Sequence, residues 1–164
     1  MLLRNDKETK IKLSIPEAAE KIKKWCAYQE RCHTETRQKL YEFGLNPGDI
    51  EAVLAMLIGE NFLNEERFAK TFARGKFRIK QWGKNKIKQE LKAKGVSDYS
   101  IKKGLKEINE DDYIKALELL LTKKDRNLTE KNDFLRKQKL FMYAISKGYE
   151  TDIIKDYLKN HWEL

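Results

Sequence analysis

The chain has 164 residues, with 35 Lys plus Arg against 26 Asp plus Glu, a formal net charge of +9, and 40% hydrophobic residues. That length bounds it at one domain or a short array of sub-domain units, and seven Phe, seven Tyr and three Trp supply enough apolar surface for a core, which excludes global disorder. Two prolines and eight glycines are about half the usual combined share, and valine occurs only at Val53 and Val96, so turn-rich β architectures are disfavoured and an all-α fold is expected.

Residues 1–13 carry little helical periodicity and are expected to form a frayed tail or short extended arm. The opening MLLRNDKETKIK lacks a signal-peptide apolar segment, and no apolar run approaches the roughly eighteen residues of a membrane span, so the expected location is the cytoplasm, away from membranes. Cys26 and Cys32 stand six apart on one predicted helical stretch, outside any disulfide framework, and reduced thiols are expected.

Ser14 as cap, Pro16 at the first helical position and Glu17 three residues after the cap open the first helix. Beyond it, Gly44, Gly95 and Gly148 each read as a helix stop, followed by isoleucine six residues on (Ile50, Ile101, Ile154) and leucine ten on (Leu54, Leu105, Leu158). Asn46, Ser97 and Thr151 are the capping candidates in between. The spacing implies helix, left-handed glycine, short turn and helix, three times, with a period near fifty residues that leaves room for a third helix per unit. Asn64 and Asn109 cap two of these extra helices. The predicted elements are 15–31, 34–43 and 47–61; 65–81, 84–94 and 98–108; 110–124, 130–147 and 151–161, and KKDRNLTEKN around Asp125 is the one long charged loop. The expected organisation is a tail at 1–14 and three-helix repeats at 15–63, 64–108 and 109–164.

The positive charge is central. Between Arg67 and Lys106 fourteen bases face two acids, Glu90 and Asp98, so that segment is +12 and the remainder −3. On a wheel of 100° per residue, Arg67, Lys70, Arg74 and Arg78 fall in one stripe opposite Phe68, Ala69, Phe72, Ala73 and Ile79, with Phe77 at the apolar margin. Lys76 lands on the apolar side, which requires either a bend at Gly75 or a lysine that snorkels. Lys84, Lys88 and Lys92 recur at i, i+4 and i+8, and Lys102 with Lys106 repeats the pattern. Like charges at such spacing are mildly destabilising, so their retention here points to a partner surface comprising Arg67, Lys70, Arg74, Lys76, Arg78, Lys80, Trp82, Lys84, Lys86, Lys88 and Lys92. Trp82 suits either stacking on a base or plugging the turn between two helices.

No catalytic constellation assembles. His33 and His161 lie near opposite ends without a nucleophile at a recognisable spacing, and Cys26, Cys32 and His33 lack a fourth ligand and a C-x-x-C pair. Phosphate-binding glycine loops are absent, so neither enzyme activity, nor a metal, nor a cofactor is expected.

The stretch NEERFAKTFARGKFRIKQWGKNKIKQELKAKGV, residues 64–96, resembles the central signature of the RecX family through Glu66, Arg67, Phe68, Ala69, Gly83, Lys86, Ile87, Glu90, Leu91, Lys94, Gly95 and Val96. The resemblance covers about 25–124, and the last forty residues fit by repeat geometry alone. Cys32 and His33 follow Arg31 where the family's first repeat usually carries a serine. The resemblance implies three tandem three-helix repeats in an elongated, curved array. It also implies a monomeric regulator of DNA recombination, repair and the SOS response that binds the RecA recombinase filament on single-stranded DNA, with weaker double-stranded binding, and restrains ATP hydrolysis, strand exchange and filament growth. The competing readings are a helix-turn-helix DNA-binding regulator, suggested by KIKQELKAKGVSDYSIKKGL, a helical protein-binding scaffold, and, least favoured, a nuclease.

Overall fold

The computed structural model describes residues 12–161, so most of the expected tail and the last three residues lie outside the described part. Nine helices and no strand occur among the described residues, in three successive triplets: α1 (Ile15–Tyr28), α2 (His33–Glu42), α3 (Pro47–Gly59), α4 (Glu65–Lys80), α5 (Lys84–Ala93), α6 (Asp98–Leu105), α7 (Glu110–Arg126), α8 (Asp133–Ser146) and α9 (Thr151–His161).

Local chemistry explains most ends. The capping box forms as expected, with the Ser14 N–H donating to Glu17 Oε2 at 2.9 Å and the Glu17 N–H reaching Ser14 Oγ at 3.4 Å. The helix begins with Ile15, however, so Pro16 stands one place further in, where its missing N–H still costs nothing. Asn46, Ser97 and Asn109 each accept from the backbone N–H three residues on. Thr151 is the first residue of α9 and not its cap; the preceding Glu150 turns its carboxylate elsewhere, to Tyr113.

Several predicted helices run too long or too short. The first stops at Tyr28 with extended backbone at Gln29, which puts Cys26 on α1 and Cys32 at the cap of α2, both buried and in no disulfide, and not on one helix. At that cap Glu35 completes a reciprocal box, accepting from the Cys32 N–H at 3.4 Å. The sixth helix ends at Leu105, because tight turn bonds from Glu107 to Gly104 and from Ile108 to Leu105 bring Ile108 into the core. The charged stretch around Asp125 is helical through Arg126, and only 127–132 is loop. Arg136 secures that junction by donating to the Asp125 carboxylate, the Asp125 carbonyl and the Glu130 carbonyl. Asn132 then caps α8, three residues later than expected.

Gly44, Gly95 and Gly148 have φ of +86°, +76° and +93°, the left-handed stop that the spacing implied. Replacing Gly95 with alanine should cost roughly 1 kcal/mol in denaturant melts, since a Cβ is strained at that φ. A neutral or stabilising result would contradict the stop.

The chain packs as two compact units, residues 1–65 and 66–164. In the first, α2 packs on α3 and α1 on both, around Ala18, Ile22, Leu40, Val53, Leu54 and Leu57. The second holds α4–α9, with Ile87, Leu91, Ile101, Leu117, Leu121, Leu140 and Ile154 buried. Its two triplets are joined by backbone: the Gly83 N–H donates to the Lys147 carbonyl at 2.7 Å and the Asn85 N–H to the Gly148 carbonyl at 2.9 Å. Tyr113 and Tyr149, both almost fully buried, stack at 4.9 Å beneath this contact. The Tyr113 hydroxyl accepts from the Lys84 N–H and donates to Glu150, while the Tyr149 hydroxyl donates to the Gln81 carbonyl. Burial first, and then the Glu150 carboxylate, push both phenols well above their ordinary range, so they remain protonated donors.

Candidate functional site

The basic residues of the central segment sit on α4, α5 and α6 and at the C-caps of the last two, Lys94 and Lys106, while Trp82 lies in the turn between α4 and α5. Helix α4 runs unbroken through Gly75 and buries Phe68, Ala69 and Ala73, as the wheel requires. Ile79 breaks the expectation: it is 79% exposed, because nothing packs against that side of the helix in its last turn.

The stripe is unevenly available. Lys70 pairs with Glu66 at 2.8 Å and lies 3.9 Å from Glu107, a pairing that raises the lysine pKa and lowers that of Glu66. Arg74 is exposed and has only a long 3.8 Å approach to Glu107, whereas Arg78 and Lys80 are exposed at the helix end. Arg67 is half-buried.

Lys76 resolves the conflict on the wheel by snorkelling over two rings, 5.3 Å from the Phe72 centroid and 5.1 Å from that of Trp82. Lys86 covers Trp82 as well, at 4.7 Å, and Lys94 lies 5.9 Å from Phe72. Trp82 is half-buried, so its indole is neither a core plug nor a free platform but an aromatic plane between two cations. Its position follows from the chain: Gln81 takes φ +55° after α4, and the Trp82 N–H bonds back to the Lys76 carbonyl at 3.3 Å. Lys86 is placed by Gly148, where a Cβ would lie 2.3 Å from that of Lys86.

The remaining cations face another way. On α5, Lys86 is about 160° around the helix from the mean direction of Lys84, Lys88 and Lys92. Those three, together with Lys102 of α6 and Lys106 at its C-cap, line a groove of about 450 Å³ whose other walls are Ile101, Leu105, Asp98 and Glu110. Lys84 is largely covered, ion-paired to Glu110 and 4.7 Å from the Tyr113 ring, so it serves the junction between triplets as much as the surface. Lys92 approaches Asp98 at 3.7 Å.

The single central surface expected from charge is therefore three: the α4 stripe, the Trp82 face with Lys76 and Lys86, and the α5–α6 lysine groove. Lys94, Lys102 and Lys106 belong to these faces and were absent from the expected set, although the i, i+4 spacing of the last two already signalled a shared face. Among the described residues no group of three or more His, Cys, Asp or Glu is placed to hold a metal, and no helix is long and apolar enough to cross a membrane.

Two family descriptions match the chain: the second three-helix domain of RecX over residues 64–105 and the third over residues 110–158. Regulatory protein RecX of Clostridium botulinum (strain Eklund 17B / Type B) is 34% identical over 127 residues, covering 76% of this chain and 59% of that protein. The protein of the same name from Clostridium perfringens (strain 13 / Type A) is 35% identical over 120 residues, with 72% and 56% covered. The match thus spans little more than half the length of these curated relatives. The crystal structure of RecX from Lactobacillus salivarius superposes with a TM-score of 0.81 over 89% of this chain and 95% of that one; at 20% identity the likeness is one of fold. Matched domain by domain across its second and third helix triplets, the chain belongs to the RecX family.

Proposed function

We propose that this chain is a non-enzymatic regulator that binds the RecA recombinase filament on single-stranded DNA and restrains its ATPase, strand exchange and growth, working in the cytoplasm as a monomer. Family membership supports the class of role, and the cationic surface of the second triplet supports the kind of partner. The observation that carries the reading is the concentration of charge: fourteen bases against two acids over 67–106, much of it exposed on α4, α5 and α6. In this reading the repeats at 15–63, 64–108 and 109–164 divide the work. The middle one, through Arg67, Lys70, Arg74, Lys76, Arg78, Lys80, Trp82, Lys84, Lys86, Lys88 and Lys92, meets filament and DNA.

Binding alone suffices. Cations on helix faces neutralise phosphates at any sequence, and an aromatic between cations stacks on any base, which suits a partner coated on DNA of arbitrary sequence. Occupying one filament state more tightly than another shifts the population towards it, which slows turnover without a chemical step by the regulator. Duplex binding is expected to be weaker, because the half-covered indole needs an unstacked base.

The test is the RecA ATPase on single-stranded DNA, with and without this protein. The expected result is a dose-dependent fall in ATP turnover near equimolar protein, with binding of an unstructured single strand stronger than of a defined duplex. Unchanged turnover at tenfold excess, with the protein folded, overturns the reading.

A further inference from the structure

We infer that the groove between α5 and α6 is a docking site for an acidic amphipathic helix of a protein partner, separate from the Trp82 face that meets the nucleic-acid strand. The inference rests on the RecA reading for which protein carries the helix, and on the groove itself for the chemistry.

Three features select the occupant. First, the charge is confined. Lys84 and Lys92, at the two ends of the α5 wall, are answered by Glu110 and Asp98, whereas Lys88, Lys102 and Lys106 between them have no ion-pair partner among the described residues. The wall from Lys84 to Lys92 is about 12 Å long at 1.5 Å per residue, or a little over two helical turns. A phosphodiester strand carries a charge at every nucleotide and would run past a carboxylate at each end. A helix can confine its acids to two turns and place neutral or basic residues opposite Asp98 and Glu110.

Second, the spacing matches. Lys102 on α6 and Lys106 at its C-cap, whose N–H still bonds to the Lys102 carbonyl at 3.3 Å, are about 6 Å apart along the axis, and carboxylates at i and i+4 of a docked helix repeat that interval. Third, the walls are mixed: half-buried Leu105 and the lysine stems, backed by the core residue Ile101, give an apolar lining that a leucine-bearing helix face can cover and a phosphate backbone cannot use. The Trp82 face has the opposite character, a ring between cations on the far side of α5.

Two fluorescent probes separate the faces: a sixteen-residue helical peptide with two turns of i, i+4 glutamates beside leucines and lysines at both ends, and a thirty-nucleotide oligo-dT. Anisotropy titrations compare the parent, Lys88→Gln/Lys102→Gln/Lys106→Gln and Trp82→Ala, with inorganic triphosphate as a competitor. The groove variant should lose about tenfold or more in peptide affinity and less than about twofold in oligo-dT affinity, and Trp82→Ala should do the reverse. These lysines line an open groove, so folding survives, which circular dichroism checks. Equal loss of oligo-dT binding in the groove variant makes the groove a nucleic-acid track and overturns the inference. Failure of the parent to bind the peptide, or displacement of the peptide by triphosphate at lower concentration than by unlabelled peptide, also overturns it. If the parent binds the peptide in the groove yet leaves the RecA ATPase unchanged, the RecA reading fails and the groove assignment stands.

Discussion

Gly83→Ala should cost about 3 kcal/mol or more of stability, well beyond the ordinary effect of one added methyl group. The added Cβ would lie 2.2 Å from the Gly148 carbonyl carbon, 2.3 Å from its oxygen and 2.3 Å from the Tyr149 nitrogen, all backbone atoms that no rotamer change can move aside. The start of α5 must back away from the α8–α9 turn. That withdrawal stretches the Gly83 and Asn85 donations across the junction and pulls the Lys84 N–H from the Tyr113 hydroxyl, each worth about 1 kcal/mol net. It also leaves a buried phenol beside Glu150 with a poorer network, where an unmet polar group is costly. The internal control is Gly75→Ala, in the middle of α4 with nothing within 4 Å of the new Cβ. There the methyl group removes only unfolded-state freedom and should stabilise by up to about 1 kcal/mol. Urea melts of both variants read the two signs together, and a Gly83→Ala protein within 1 kcal/mol of the parent would mean that the backbone contact between triplets is not closed in solution.

The contrast between these glycines marks what sequence could convey. Gly44, Gly95 and Gly148 were legible because a helix stop is local: the αL conformation, the turn and the next cap lie within a few residues. Gly83 was legible only as a resemblance, since its constraint comes from Gly148, sixty-five positions away, and a missing side chain leaves no pattern. The same rule sorts the charges. The wheel placed Arg74 and Arg78 on one exposed face correctly, and the i, i+4 pair of Lys70 with Glu66 is equally local, but the pairing of Lys84 to Glu110 depends on where α6 ends and α7 begins, which withdraws Lys84 from the free set. Ile79 misled because a wheel assumes a packing partner across the whole apolar face, whereas the last turn of α4 packs through Phe77, against Tyr113, and leaves Ile79 79% exposed. The α5–α6 groove combined two legible faces, Lys84–Lys88–Lys92 and Lys102–Lys106, whose convergence is a product of packing.

Reversing the exposed arginines, Arg74→Glu with Arg78→Glu, should abolish most of the effect on RecA while leaving the fold intact. The double change moves the net charge from +9 to +5. Its stability cost is small: both guanidinium groups are exposed, and the 3.8 Å approach of Arg74 to Glu107 is a surface pair of the kind that contributes well under 1 kcal/mol. Lys70 is deliberately spared, since breaking its 2.8 Å pair with Glu66 would mix a folding effect into the reading. If each arginine meets a phosphate, direct binding to single-stranded DNA should show a log–log salt slope shallower by about 0.7 per lost contact, or roughly 1.4 for the pair. Lost affinity alone could reflect the whole-molecule charge, so the comparison is Lys123→Glu with Lys155→Glu, exposed residues of α7 and α9 that change the net charge by the same amount away from the stripe. A purely global effect predicts equal losses for the two proteins; a local one predicts that only the α4 variant loses inhibition and slope. With circular dichroism showing all three proteins folded, equal inhibition of RecA by the parent and the α4 variant would reduce the stripe to a solvated helix face and move the partner surface off α4.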